Sequence, residues 1–150
     1  MSITTALKQH HTHCDTLFAD AEVACVKGRW AEGERLFAAL TDELNRHFSC
    51  EEEILFPAFE TATGMRSGPT QVMRLEHAQM RDLLDRMAAA LRGHDSNAFG
   101  GEAETLLILM QQHNMKEEGM LYPMCDQTIP SDALGDSIQQ RLHAPENPPD

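Results

Sequence analysis

Residues 46–57 read Arg46-His47-Phe48-Ser49-Cys50-Glu51-Glu52-Glu53-Ile54-Leu55-Phe56-Pro57. Residues 112–123 read Gln112-His113-Asn114-Met115-Lys116-Glu117-Glu118-Gly119-Met120-Leu121-Tyr122-Pro123. Both follow His-x3-Glu-Glu-x2-Leu-aromatic-Pro, at an offset of 66 residues. A His and a Glu four apart on a helix share one face and rise about 6 Å, so each copy presents an imidazole and a carboxylate to one place. The same offset carries His11 onto His77, and Leu17-Phe18 onto Leu83-Leu84. The chain therefore reads as two helix pairs related by a pseudo-two-fold, each supplying one His and one His-x3-Glu.

Outward from these stretches, breaks at Gly28, at Thr63–Pro69 and at Gly93–Ser96 divide the chain into four long segments. Within them apolar residues recur at helical spacing: Leu7, Cys14, Phe18, Ala21 and Cys25; Phe37, Leu40, Leu44 and Ile54; Met73, Met80, Leu84, Met87 and Leu91; Leu106, Met110 and Met124. No strand-like alternation interrupts them. Four amphipathic helices with short connections predict an all-α fold, an up-down-up-down antiparallel four-helix bundle over residues 1–127. Residues 128–150 hold Pro130, Pro145, Pro148 and Pro149. They read as a short C-terminal tail with one short helix near Ser131–Leu142 and a disordered, Pro-rich end.

Each apolar stripe has gaps, and polar residues fill them. His11 completes 7, 11, 14, 18, and His77 completes 73, 77, 80, 84. His47 and Glu51 complete 40, 44, 47, 51, 54, while His113 and Glu117 continue 106, 110. Six metal-capable side chains thus face one interior, where each without a partner would cost a few kcal/mol. Four imidazoles and two carboxylates divide by symmetry into two His per metal, leaving both carboxylates free to bridge. Imidazole suits iron, zinc, copper and nickel, and the carboxylates favour a harder ion. No Cys enters the set, which argues against a structural zinc site.

Composition narrows the rest. A chain of 150 residues predicts one domain. Its net charge of −12 and its 5% aromatic content exclude a phosphate-tracking nucleic-acid protein and an anionic-membrane binder. No signal peptide is read at Met1–Lys8, and no apolar run is long enough to span a membrane. Cys14, Cys25, Cys50 and Cys125 are scattered without a Cys-x-x-Cys pair, the pattern of free thiols in a reducing, cytoplasmic setting. His10 and His13 are expected to be exposed. His94 and His143 fall in a loop and in the tail. Glu52, Glu53 and Glu118 are expected in solvent or behind the ligands.

The chain resembles the hemerythrin-like family, the HHE cation-binding domain, over roughly residues 4–126. His11, His47-x3-Glu51 with Leu55-Phe56-Pro57, Glu76-His77, and His113-x3-Glu117 with Leu121-Tyr122-Pro123 carry the resemblance. It implies a non-haem centre of two iron ions bridged by two carboxylates, with an oxo or hydroxo bridge between them. The ligands would be His11, His47, Glu51, His77, His113 and Glu117. It further implies binding or sensing of O2, or of NO or peroxide, so the expected partner is a small diatomic or peroxide ligand. An enzyme consuming such ligands, or a protein handling iron or repairing iron centres, is the alternative. Two departures from the oxygen-carrying pattern stand out. Arg81 occupies the place of the second His on the third helix, with Asp15 at the symmetry-related position. These two are expected to pair with each other near the centre, or Asp15 to serve as an extra ligand, or both to be surface charges. In oxygen carriers the last carboxylate lies five residues after its His, at Glu118 here, whereas the repeat offset selects Glu117. Cys50, between His47 and Glu51, is expected to be a semi-buried thiol rather than a redox sensor.

Overall fold

The computed structural model describes residues 2–130 and 133–143, and among them it contains helices and no strand. In order these are α1 (Thr5–Val26), α2 (Trp30–Cys50), α3 (Phe56–Thr63), α4 (Pro69–Arg92), α5 (Ser96–Lys116), α6 (Tyr122–Thr128) and α7 (Ala133–His143). A π-helical turn at Glu51–Leu55 joins α2 to α3 without a break, and a second at Glu117–Leu121 joins α5 to α6. Local chemistry sets several ends. Pro69 opens α4, where its missing N–H costs nothing. The Asp95 carboxylate caps α5 by accepting from the Ala98 N–H at 3.0 Å. Gly64, at φ 75°, closes α3 in the left-handed region open to glycine.

The long helices pack as a ring: α1 on α2, α2 on α4, α4 on α5 and α5 on α1. Their apolar stripes fall into two separate clusters. One holds Cys14, Phe18, Phe37, Leu44, Met80, Met87, Phe99 and Met110, among others. The other holds Leu7, Leu55, Phe56, Phe59, Met73, Leu121, Tyr122 and Cys125. A layer of polar residues lies where the helices cross between them: His11 follows Leu7, His47 follows Leu44, His77 follows Met73 and His113 follows Met110.

The π turns correct the expected stripe. The Phe56 N–H reaches back to the Glu51 carbonyl and the Tyr122 N–H to that of Glu117, five residues instead of four. The extra residue rotates the helix beyond each turn, so Leu55, Phe56 and Phe59 are buried where Ile54 was expected, and Leu121, Tyr122 and Cys125 where Met124 was. The stretch read as a short tail helix forms α7, which packs on α1 and α2 and buries Ile138 and Leu142. Ser131 and the end read as disordered, residues 144–150, lie outside the described residues. Among the described residues no helix is long and apolar enough to cross a membrane. All four cysteines are free and buried.

Candidate metal centre

All six residues selected by the stripes are buried in the polar layer, and Glu51, His77 and Glu117 are inaccessible to solvent. Each of the four histidines has its outer nitrogen engaged. His11 Nδ1 lies 2.7 Å from Glu118 Oε2, His77 Nδ1 2.8 Å from Glu52 Oε2, and His113 Nδ1 2.8 Å from Glu76 Oε1. A carboxylate only accepts, so these three imidazoles donate from Nδ1. His47 reaches its carboxylate through a second ring. His10 donates from Nε2 to Glu43 Oε2 at 2.6 Å, which leaves its Nδ1 to accept from His47 Nδ1 at 2.9 Å. The hydrogen-bond partners thus assign one tautomer throughout, and all four Nε2 atoms aim lone pairs inward.

Two groups of inward atoms result, each within 4.8 Å: Glu51, His77, His113 and Glu117, and beside them His11, His47 and Glu117. In the first group, Glu51 Oε1, His77 Nε2, His113 Nε2 and Glu117 Oε2 are all buried without a hydrogen-bond partner. With the rings neutral, this interior converges four acceptors, His77 Nε2 3.1 Å from Glu51 Oε1 and His113 Nε2 3.4 Å from Glu117 Oε2, and supplies them no donor, which fits a cation. The donor set, imidazole nitrogen with carboxylate oxygen and no thiolate, suits iron, manganese or zinc. The electrostatics of the side chains agree. Burial pushes the His47 imidazole down to about 3, so the ring is neutral. At His113 burial works the other way from the outcome: the Glu117 charge and hydrogen bond outweigh it and hold the imidazole up to about 9. Burial and the neighbouring Glu51 charge push the Glu117 carboxyl up. A cation and protons compete for the same atoms.

An outer layer of charge fixes these partners. Arg81 grips Glu52 with both nitrogens, at 2.8 and 3.0 Å, and lies over the Phe48 ring at 5.2 Å. Burial pushes the Glu52 carboxyl up, but the His77 and Arg81 hydrogen bonds outweigh it and bring it to about 2. Lys116 binds Glu76 on the other side. Arg81 therefore acts one step behind His77, through Glu52. The expected pairing of Arg81 with Asp15 is corrected: Asp15 is exposed and belongs to neither donor group. Glu117 is buried and belongs to both donor groups, while Glu118 lies behind His11, on its Nδ1. Glu53 is exposed and pairs with Arg141 of α7. Cys50 faces away from the centre, its thiol 3.8 Å from the Ile138 carbonyl, and burial pushes it up to about 12.

His10 is a second correction. It is 5% exposed, because His47 and Glu43 hold it against the layer, while His13 is exposed as expected. The offset of 66 already pointed to it: it carries His10 onto Glu76 and Glu52 onto Glu118, and each pair performs one task in the two halves. Tyr122 and Glu43 were also missed. Tyr122 stands where the first copy has Phe56, a visible difference in the repeat, whereas Glu43 has no sequence signal. His94 stacks on Trp30 at 4.9 Å and belongs to neither donor group.

The family model for the hemerythrin HHE cation-binding domain matches residues 2–125 of the chain. No curated protein and no solved structure matches it.

Proposed function

The chain belongs to the hemerythrin HHE cation-binding family, and we propose that it is a non-haem di-iron protein that binds or senses O2, NO or peroxide. In this reading the helices run up-down-up-down in an antiparallel four-helix bundle. The order in which α1, α2, α4 and α5 pass between the two apolar clusters, reversed in each successive helix, supports it. His11 and His47 would hold one ion, His77 and His113 the other, with Glu51 and Glu117 between them. The observation that carries the proposal is the set of four buried acceptors without a donor, Glu51 Oε1, His77 Nε2, His113 Nε2 and Glu117 Oε2.

When bound, iron supplies a redox-active centre that takes up small diatomic or peroxide ligands. The chain's residues do the rest. Glu118, His10, Glu52 and Glu76 hold the four rings in one tautomer and orientation, which keeps Nε2 basic and aimed. The apolar clusters on both sides exclude bulk water from the layer. Binding is favoured over turnover because neither Arg81, held by Glu52, nor the exposed Asp15 belongs to the inner donor groups. Four free thiols agree with a cytoplasmic setting.

The test is metal identity and stoichiometry after expression in iron-supplemented medium. Two irons per chain, followed by saturable O2 or NO binding without steady-state consumption, is the expected result. Little metal, or a single zinc, would overturn the di-iron reading; sustained peroxide or NO consumption would turn it into an enzyme.

A further inference from the structure

The two halves of the centre differ by one oxygen atom. Phe56 and Tyr122 occupy the same place in the repeat, and both are buried. Each ring stacks on the lone histidine of the opposite repeat, Phe56 on His77 and Tyr122 on His11, with centroids 5.7 Å apart in both cases. On the Phe56 side the inward atoms have no hydrogen-bond partner and meet only as His–Glu pairs, His77 with Glu51 and His113 with Glu117. On the Tyr122 side the four corresponding atoms all face the phenolic oxygen. Glu51 Oε2 lies at 2.7 Å, Glu117 Oε1 at 3.0 Å, and His11 Nε2 and His47 Nε2 at 3.3 Å each.

A phenol carries one proton and can satisfy one of these four acceptors. The other three direct lone pairs at an oxygen that has no further hydrogen to give, an arrangement that hydrogen bonding alone leaves unfavourable. It becomes favourable once a cation is shared between them. Two imidazole nitrogens, two carboxylate oxygens and a phenolic oxygen around one point are the donor types of a hard or borderline metal ion. The tautomers agree, since Glu118 and His10 take the Nδ1 protons and leave both Nε2 atoms without one.

We propose that Tyr122 is a further protein ligand of the ion held by His11 and His47, giving that ion a phenolate oxygen for which the ion at His77 and His113 has no counterpart. The metal–oxygen bond replaces the O–H bond, and the proton leaves to solvent as other ligand protons do on metal binding. This rests on the di-iron reading above. It makes the two ions inequivalent in a site that the repeat otherwise builds symmetrically.

Tyr122 is the only tyrosine in the chain, so every tyrosine signal reports on it. Wild-type protein and Tyr122→Phe are to be loaded with ferric iron, and bound iron, visible absorption and resonance Raman spectra measured. The expected result is two irons per chain in both, with a broad visible phenolate-to-iron band and enhanced tyrosine ring modes in the wild type alone. Identical spectra at equal iron content would overturn the proposal and leave the di-iron reading standing. Should Tyr122→Phe fail to fold, gallium(III), a redox-inert trivalent ion, is titrated into the wild type. An ultraviolet difference spectrum of tyrosinate is expected, and its absence with gallium bound overturns the proposal. A wild type that takes up neither ion overturns the di-iron reading and this one with it.

Discussion

Removing the metal is expected to expose how much of this fold leans on it. The four atoms Glu51 Oε1, His77 Nε2, His113 Nε2 and Glu117 Oε2 are buried and have no hydrogen-bond partner. A buried polar atom left unpaired costs about 1–3 kcal/mol. Protons offset part of this, because His113 is basic enough, at about 9, to be charged at neutral pH beside Glu117. Taking the low end for all four gives about 4 kcal/mol of stabilisation on loading. For a chain of this length each kcal/mol moves Tm by about 2–4 °C, so the shift is about 8–16 °C. The assay is thermal unfolding followed by circular dichroism, on protein stripped with chelator and on the same protein reloaded anaerobically with ferrous iron in excess. His113→Leu, which removes one orphan and fills its space, should melt at or above the stripped wild type and gain little from iron. If stripped and reloaded wild type melt within about 2 °C of each other, less than one kcal/mol, the inference from orphaned atoms to a cation is wrong.

Other outcomes depend on the layer behind the ligands. Arg81→Met should lower affinity for the ion at His77 by about 10–100-fold, since it releases the Glu52 that holds that ring, and competition with a chromophoric chelator reads it directly. Unchanged affinity would return Arg81 to the status of a surface charge. Glu52 is lowered from an ordinary 4.5 to about 2, so its contribution to stability is full above 4.5 and is lost as pH falls through 2. The gap in urea midpoint between metal-free wild type and Glu52→Gln should therefore hold steady above pH 4.5 and shrink towards pH 2; a constant gap refutes it. Cys50, buried with its thiol at about 12, should resist iodoacetamide at pH 8 in the folded protein and react in urea, as peptide mass spectrometry will show. Rapid alkylation of the native state would make it an accessible thiol after all.

Much of the centre was legible because burial and periodicity act on the same residues. His11, His47, His77 and His113 interrupt apolar stripes, and a polar residue is held in such a position only by a partner. What stayed hidden was of two kinds. The π turns break the 3.6-residue rule at the place where the rule was being applied, so Ile54 and Met124 were expected inside and Leu55 and Tyr122 were not. Pro57 and Pro123 were the available sign, since a residue without an N–H cannot continue the four-residue ladder. His10 was lost for another reason. It stands one residue off the stripe, and only its contacts with Glu43 and His47 on a different helix bring it inside. Glu43 itself sits on an ordinary charged face, and no pattern along the chain distinguishes it from its exposed neighbours.

The two π turns also decide which way each segment faces. They begin at Glu51 and Glu117, at the same step of the two halves, and each accommodates one residue beyond what an uninterrupted α-helix would need. In an uninterrupted α-helix a residue five positions on stands about 140° further round the axis. Across the wider turn Phe56 and Tyr122 instead bring their rings onto His77 and His11, in the same layer that Glu51 and Glu117 enter. One short segment thus lends both a carboxylate and an aromatic wall to a single chamber.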